Sequence, residues 1–294
     1  MKSPAFLAAL LAIITWAGAP VANKLAVGGM GPLELTLVRC LLSGASGLVL
    51  ALVLRIPLPR RNQVGLLAVS GIGGFSAASL VYSYGLQSTS GVHASMITAI
   101  SPLVTGLVAL TWERRLPTWR WWIGCFIAIA GEAVLVLHRT DGGTASIIGD
   151  LFLILASLVA AIAYVAGGRL GMTGYPAMGS CYWGAAIAGI VMAPVSFYVF
   201  PQMDFARVST GAWISILYLA LGCVLIGYTL WYWALSRAGM EKIGLVQFLQ
   251  PILSLIAAAI ILDEPMTIEV YISGVLVFAG VWIATRRPSL AAAG

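Results

Sequence analysis

The chain has 294 residues, of which 61% are hydrophobic and only 9% are charged, with a net charge of +6 and a mean hydropathy of +1.00. Soluble domains carry about 25% charged residues, so composition argues against a soluble enzyme, a nucleic-acid-binding protein or a disordered scaffold. The apolar residues form long runs instead of alternating with polar ones, which disfavours an outer-membrane barrel and predicts an all-α polytopic membrane protein.

Ten apolar runs approach the ~20 residues that a helix needs to cross a bilayer core. In chain order they cover about 4–27, 32–54, 63–86, 91–112, 119–137, 146–167, 175–200, 210–235, 240–262 and 267–285. The connections are short, so any function must lie among the helices. The first run exceeds the ~7–15-residue core of a signal peptide, and we interpret it as a retained helix.

Lysine and arginine residues concentrate on alternate connections. With a cytoplasmic N-terminus, twelve of the 16 lie on the cytoplasmic side, Lys24, Arg139 and Arg207 lie on the other, and Arg39 lies inside the second run. Cytoplasmic connections of membrane proteins are enriched in these residues. The asymmetry therefore predicts that both termini are cytoplasmic, and the positive net charge needs no nucleic-acid partner.

Two parts of the chain resemble each other at a spacing of 149 residues. Residues 82–86 align with 231–235, and 101–103 align with 250–252. An acidic residue and a pair of glycines follow in each copy; the glycine pairs are Gly124 with Gly131, and Gly274 with Gly280. Five helices per copy reverse its orientation, which predicts two inverted repeats, 1–142 and 143–294, forming one transmembrane domain. The alternative is the general self-similarity of polytopic proteins.

These features resemble the EamA type of the drug/metabolite transporter superfamily over essentially the whole chain. The motifs that carry the resemblance are Leu35 to Arg39, Ser101-Pro102-Leu103, Trp112-Glu113-Arg114, Gln250-Pro251 and Asp263-Glu264-Pro265, with the two glycine pairs. Within that group the chain is most similar to YddG-type exporters of aromatic and other amino acids. The resemblance implies a ten-helix carrier in the bacterial inner membrane that exports small metabolites through a central cavity.

Each ionisable side chain inside the membrane needs a physical reason, because its insertion costs about 2.5–3.5 kcal/mol. Arg39 could bind a substrate carboxylate or pair with Glu34 or Glu132. Glu132 could bind an ammonium group, relay a proton, or pair with Arg39 or Lys24. Glu34 is explained more simply by capping in the first turn of its helix, Lys24 by snorkelling to water, and His93 by a position at a helix mouth, with proton sensing as its alternative.

Polar and aromatic residues supply the candidates for a substrate cavity. Gln247 and Gln250 lie one turn apart before Pro251, which frees a backbone carbonyl in the preceding turn. Thr98 and Ser101 occupy the matched place in the first copy. These side chains either line one cavity or form interhelical hydrogen bonds. The full candidate set is Trp16, Ser79, Tyr82, Thr98, Ser101, Tyr164, Tyr228, Gln247 and Gln250.

Aromatic residues also gather near the predicted helix ends. Four tryptophans beside arginines predict an interfacial belt: Trp112, Trp119, Trp121 and Trp122. The groups at 82–84 and 231–233 could be gates, walls for an aromatic substrate, or belt and packing residues. Small residues around Ser43, Gly71 and Gly184 predict close helix contacts.

Other classes of function lack their motifs. There is no P-loop, HExxH or GxSxG sequence and no plausible Ser/His/Asp set, so neither ATP hydrolysis nor a membrane-embedded enzyme is expected. Four dispersed cysteines and two histidines predict no disulfide framework, metal site or cofactor, and the cysteines are expected in the core. We predict a monomeric secondary transporter for amino acids or related metabolites, with a channel or facilitator for small polar solutes as the alternative.

Overall fold

The computed structural model describes residues 4–27, 30–88, 101–114, 116–137, 147–262 and 268–285. Their regular structure is helical throughout. The α-helices of the first half are α1 (Pro4–Ala17), α2 (Ala19–Val27), α3 (Pro32–Val53), α4 (Arg61–Ala68), α5 (Ala78–Ser88), α6 (Ser101–Glu113) and α7 (Trp119–Leu137). Those of the second half are α8 (Ile147–Met172), α9 (Ala177–Val199), α10 (Thr210–Leu217), α11 (Tyr228–Ala238), α12 (Met240–Gly244), α13 (Leu249–Leu262) and α14 (Ile268–Thr285).

Six helical stretches among the described residues are long and apolar enough to cross a membrane. They are Pro4–Asn23, Pro32–Val53, Arg61–Tyr82, Ile147–Met172, Ala177–Gln202 and Thr210–Ala238. Helix is present within each of the ten predicted runs, which confirms an all-helical, multi-pass architecture. The number of ten complete spans stays a prediction.

Two stretches form π-helix at matching positions in the two halves. The first π segment, Val69–Ala77, joins α4 to α5, and the second, Tyr218–Gly227, joins α10 to α11. They begin 149 residues apart, the spacing found in the sequence. Because π geometry disturbs the usual carbonyl pairing, neighbouring thiols donate to these segments: Cys40 to the Phe75 carbonyl (3.1 Å) and Cys181 to the Val224 carbonyl (3.2 Å).

Glycines set the closest helix contacts. A Cβ on Gly44 of α3 would lie 2.8 Å from Gly189 of α9, and one on Gly47 would lie 2.8 Å from the Tyr182 carbonyl. The partner positions therefore run backwards along α9, so the two helices are antiparallel. Gly71 of the first π segment meets Gly184 in the same way. The predicted small-residue contacts are confirmed.

The same antiparallel packing joins α7 to α14. Gly124 faces Gly280, while Gly131 faces the Ser273 carbonyl, where an added Cβ would lie 3.0 Å away. Gly131 and its match Gly280 thus each pack against the helix of the other half, whereas an added Cβ on Gly274 would meet Ile252 (3.7 Å). Such contacts let backbones approach without side chains between them, which suits helices that slide or rock.

The belt interpretation of Trp121 is wrong. Trp119 and Trp122 are 67% and 37% exposed, but Trp121 is only 1% exposed and lies against Gly106 of α6. Each residue of a helix turns about 100° from the one before it. The indole of Trp121 therefore points inward, between two tryptophans that face outward.

One end of the bundle is held together by two connections. The Tyr175 hydroxyl donates to the Pro57 carbonyl (2.8 Å), the Trp183 indole to the Ile56 carbonyl (3.3 Å), and the Gln63 amide to the Thr173 hydroxyl (2.9 Å). The α3–α4 and α8–α9 connections therefore lie at the same end. The arginine distribution predicts the same arrangement, because it places both connections on the cytoplasmic side.

Tyr175→Phe is expected to lower the free energy of unfolding by about 1 kcal/mol, because it leaves the Pro57 carbonyl without its donor. Burial raises the pKa of the Tyr175 hydroxyl to about 12, whereas an unfolded tyrosine titrates near pH 10. The raised pKa means that this contribution is complete below about pH 10 and declines as the pH rises towards 12.

Thermal unfolding in detergent at about pH 8 and about pH 11 measures both effects. Tyr198→Phe is the matched control, because Tyr198 is 72% exposed. The wild type and the control should lose more stability at the higher pH than Tyr175→Phe does. Equal losses in all three proteins would contradict the assignment.

Candidate functional site

Six aromatic side chains meet in the interior of the bundle, and we call them the aromatic cluster. Its members are Trp16 of α1, Phe75 of the first π segment, Tyr164 of α8, and Tyr228, Trp231 and Tyr232 of α11. Trp16 lies at the centre. Its ring centroid is 5.0 Å from that of Tyr228, 5.4 Å from that of Trp231, and 6.1 Å from that of Tyr164, on which it stacks at 19°.

Edge-to-face contacts complete the aromatic cluster. Phe75 and Tyr228 have centroids 4.6 Å apart, and Tyr228 and Tyr232 have centroids 5.6 Å apart. Such pairs contribute about 0.5–1.5 kcal/mol each beyond burial. Tyr164 and Tyr228 are half-buried, while the other four members are buried. The cluster is thus a packed structure whose accessible side carries two tyrosines.

Two polar atoms of the aromatic cluster have no hydrogen-bond partner among the described residues. They are the indole nitrogen of Trp231 and the hydroxyl of Tyr232. Ser70 lies beside the Tyr232 hydroxyl, but outside hydrogen-bond geometry. Buried polar groups are nearly always satisfied. Unsatisfied donors at this place are expected where a ligand or water binds.

A polar strip of four side chains adjoins the aromatic cluster: Ser101, Thr105, Ser157 and Gln247. The Ser101 hydroxyl donates to that of Ser157 (3.1 Å), and the Thr105 hydroxyl lies 2.9 Å from the Ser101 carbonyl and 3.5 Å from Gln247 Oε1. Gln247 and Tyr228 both lie near the Tyr164 hydroxyl, and the rings of Tyr164 and Tyr228 have centroids 5.8 Å apart. Tyr164 therefore joins the polar strip to the cluster.

Proline explains the local structure around Gln247. Pro251 has no N–H to pair with the carbonyl four residues before it, and the preceding residues, Leu245–Phe248, form a tighter 3-10 helix. Gln247 is 8% exposed there, whereas Gln250 is half-buried. Gln247 makes an interhelical contact with Thr105, the alternative to cavity lining, and cavity lining itself stays a prediction.

Arg39 is half-buried in α3, within electrostatic range of the Cys223 thiol and the Tyr228 hydroxyl. Among the described side chains, Glu34 and Arg39 form no ion pair. The Glu34 carboxylate instead lies beside Gly31, the residue before α3, and Glu34 itself lies in the first turn of α3. Its capping role stays a prediction.

Of the remaining candidates, the structure describes the side chains of Ser79 and Tyr82, and neither is a member of the aromatic cluster. Ser79 is half-buried on α5, and Tyr82 is 37% exposed without a ring contact to the cluster. Thr98 and His93 lie outside the described residues, as do the side chains of Lys24 and Glu132. Their predicted roles stay predictions.

Sequence reasoning missed several residues of the site. Thr105 follows Ser101 by four residues, and Ser157 precedes Tyr164 by seven, so helical periodicity could have placed each pair on one face. Trp231 and Tyr232 were noticed, although without a distinction between gate, wall and packing. Phe75 gave no signal, because its orientation depends on the π segment.

The model of a family described as EamA-like transporter family matches the chain twice, over residues 3–137 and 147–286. An uncharacterized transporter of Bacillus subtilis, YdeK, is 27% identical over 86% of this chain and 87% of its own length. A probable terminal-alkyne amino-acid exporter of Streptantibioticus cattleyicolor is 26% identical over 97% of this chain and 94% of its own length. A probable amino-acid metabolite efflux pump of Escherichia coli is 23% identical over 94% of this chain and 92% of its own length.

A solved crystal structure has the same fold. It aligns over 97% of this chain and 97% of its own, with a TM-score of 0.79 at 20% sequence identity.

Proposed function

Because the chain belongs to the EamA-like transporter family, we propose that it exports amino acids, aromatic or other neutral, and related small metabolites. Family membership makes it a multi-pass membrane transporter and argues against a role as an enzyme. The names of the Streptantibioticus and Escherichia coli relatives support the substrate class. The observation that carries the proposal is the aromatic cluster beside the polar strip, built from both parts that the family model matches.

The chemistry of this site suits an amino acid. Tyr164 and Tyr228 offer π-faces to an apolar or aromatic side chain, and the same faces attract an ammonium group. Gln247 offers an amide beside Tyr164. The positive charge of Arg39, half-buried in α3, favours a carboxylate. We therefore place the substrate on the accessible side of the cluster, against Tyr164 and Tyr228.

Transport by alternating access follows from two inverted five-helix repeats, 1–142 and 143–294, which are part of the proposal. The double family match, the π segments 149 residues apart, and the antiparallel glycine contacts of α3 with α9 and of α7 with α14 support them. Two similar halves that exchange conformations open a central site first to one side and then to the other. A single chain holds both halves, so the proposed functional unit is a monomer.

We further propose that the chain lies in the bacterial inner membrane with both termini in the cytoplasm. The proposed orientation puts two Arg–Trp pairs at cytoplasmic helix ends, an interfacial position that both residue types favour. Arg169 lies 5.6 Å from the ring centroid of Trp112, and Arg237 lies 5.3 Å from that of Trp233. Cysteine accessibility at engineered loop positions, measured in intact cells, tests the orientation.

The function is tested by flux in proteoliposomes with a panel of labelled amino acids that includes L-phenylalanine, L-tryptophan, L-leucine and L-threonine. We expect saturable uptake and counterflow for at least one of them. Flux that rises linearly with concentration would favour the channel or facilitator. Absence of flux for the whole panel would refute the proposed substrate class.

Gln247→Ala is expected to raise the KM for the transported amino acid about tenfold, because removing one partner of a buried polar group costs about 1–3 kcal/mol. Gln202→Ala is the matched control, since Gln202 is exposed and donates to the Tyr198 carbonyl within its own helical segment. Initial rates in proteoliposomes measure both. An unchanged KM in a correctly folded Gln247→Ala protein would remove Gln247 from the site.

A further inference from the structure

Trp16, at the centre of the aromatic cluster, is tied to the second π segment by hydrogen bonds that run in both directions. Its indole N–H donates to the Cys223 carbonyl (2.8 Å). In return, the Cys223 thiol (3.5 Å) and the Tyr218 hydroxyl donate to the carbonyl of Thr15, the residue before Trp16. α1 and the second π segment are thus joined by hydrogen bonds donated from each to a backbone carbonyl of the other.

Both elements depart from regular α-helix at this point, which explains why carbonyls are available. α1 ends at Ala17, and the last four carbonyls of a helix have no partner within it. Pro20 has no N–H to pair with the carbonyl four residues before it, so α1 does not continue unbroken past Gly18 into α2. Irregular backbone at membrane depth is tolerated only where neighbours satisfy it, and Tyr218 and Cys223 do so here.

The fit leaves no room for larger residues. A Cβ on Gly227 would lie 2.5 Å from the indole nitrogen of Trp16, and a Cβ on Gly18 would lie 2.5 Å from the Tyr218 hydroxyl. The indole and the phenol therefore each pack directly against backbone of the opposite element. The ring of Trp16 is restrained from both sides by this junction.

We propose that Tyr218 and Cys223 are positioning residues of the transport site: they fix the ring of Trp16 through the Thr15 and Cys223 carbonyls. This inference rests on the proposed function, in which the aromatic cluster contacts the substrate. α1 and the second π segment belong to different halves of the family match. The position of Trp16 therefore follows the position of one half relative to the other, so that substrate affinity changes when the halves move.

The first test is Tyr218→Phe, which removes one hydroxyl and keeps the ring. The KM for L-phenylalanine in proteoliposomes should rise about fivefold, the effect of one lost hydrogen bond. The maximal rate per folded transporter should stay within about twofold. Tyr198→Phe, at a 72% exposed site, should change neither quantity.

A double-mutant cycle with Trp16→Phe separates positioning from general stability. If Tyr218 acts through Trp16, then Tyr218→Phe has no further effect on KM once Trp16 is replaced. If the increase in KM of the double variant equals the product of the two single increases, the positioning role is overturned and the proposed site is left intact. An unchanged KM in Trp16→Phe alone would instead refute the proposed site.

Two further measurements keep the inference testable if Tyr218→Phe does not fold or L-phenylalanine is not carried. Gly227→Ala should raise the KM for whichever amino acid is carried, because the added methyl group meets the indole of Trp16. The same substitution should leave KM unchanged in a protein that already carries Trp16→Phe. Fluorescence needs no substrate: the emission difference between proteins with and without Trp16 should shift to the red when Tyr218 or Gly227 is substituted. An unshifted difference spectrum would overturn the proposal.

Discussion

Gly124→Ala is expected to destabilise the folded protein by about 3 kcal/mol, which outweighs the ~1 kcal/mol that alanine gains over glycine in a helix. The added Cβ would contact the Gly280 carbonyl and lie 2.6 Å from the Ala284 backbone nitrogen. Backbone atoms of α14 cannot move aside as a flexible side chain can. The two helices would have to separate along their whole antiparallel contact.

Thermal unfolding in detergent, with the yield of monodisperse protein, measures this effect. Gly65→Ala is the matched control, because Gly65 also lies in a helix and nothing would lie within 4 Å of its added Cβ. That variant should be as stable as the wild type or slightly more stable. If both variants unfold at the same temperature, α7 and α14 do not approach each other as closely as the structure has them.

Trp16→Ala is expected to abolish measurable transport, with at least a hundredfold loss in kcat/KM. Truncation of a buried tryptophan typically lowers the free energy of unfolding by about 3–5 kcal/mol. Here it removes the ring contacts with Tyr164, Tyr228 and Trp231 together. The bond to the Cys223 carbonyl is lost as well. The accessible side of the aromatic cluster would lose the ring that supports it.

Initial rates in proteoliposomes, normalised to folded protein by size-exclusion chromatography, give the loss. Trp119→Ala should retain flux within about twofold of the wild type, since Trp119 is 67% exposed and contacts Arg120 at the surface. Substantial flux through a folded Trp16→Ala protein would show that the substrate passes elsewhere. The aromatic cluster would then be a packing element alone.

Local patterns in the sequence account for much of the architecture. The 149-residue spacing, read from aligned aromatic and proline motifs, is also the spacing of the two π segments. All four cysteines are buried, as expected for small core residues. The Gly124 and Gly280 positions do mark helix contacts. These features depend on periodicity and residue size, which a sequence displays directly.

The irregular backbone could not be predicted in the same way. Val69–Ala77 and Tyr218–Gly227 contain small residues that fit an α-helix equally well, and the choice of π geometry depends on what packs beside them. Trp121 shows the related error for side chains. Its position beside arginines indicated a membrane interface, but the packing of α7 on α6 buries it.

The sequence by itself determined the membrane environment, the helical class, the repeat spacing and the set of polar and aromatic residues from which a site could be built. Tertiary structure decided which of them meet. Trp16 and Cys223 are 207 residues apart and share a hydrogen bond, and Thr105 reaches Gln247 across 142 residues. Periodicity fixes the face of a helix on which a residue lies. Only the packing of both halves determines which face of another helix it meets.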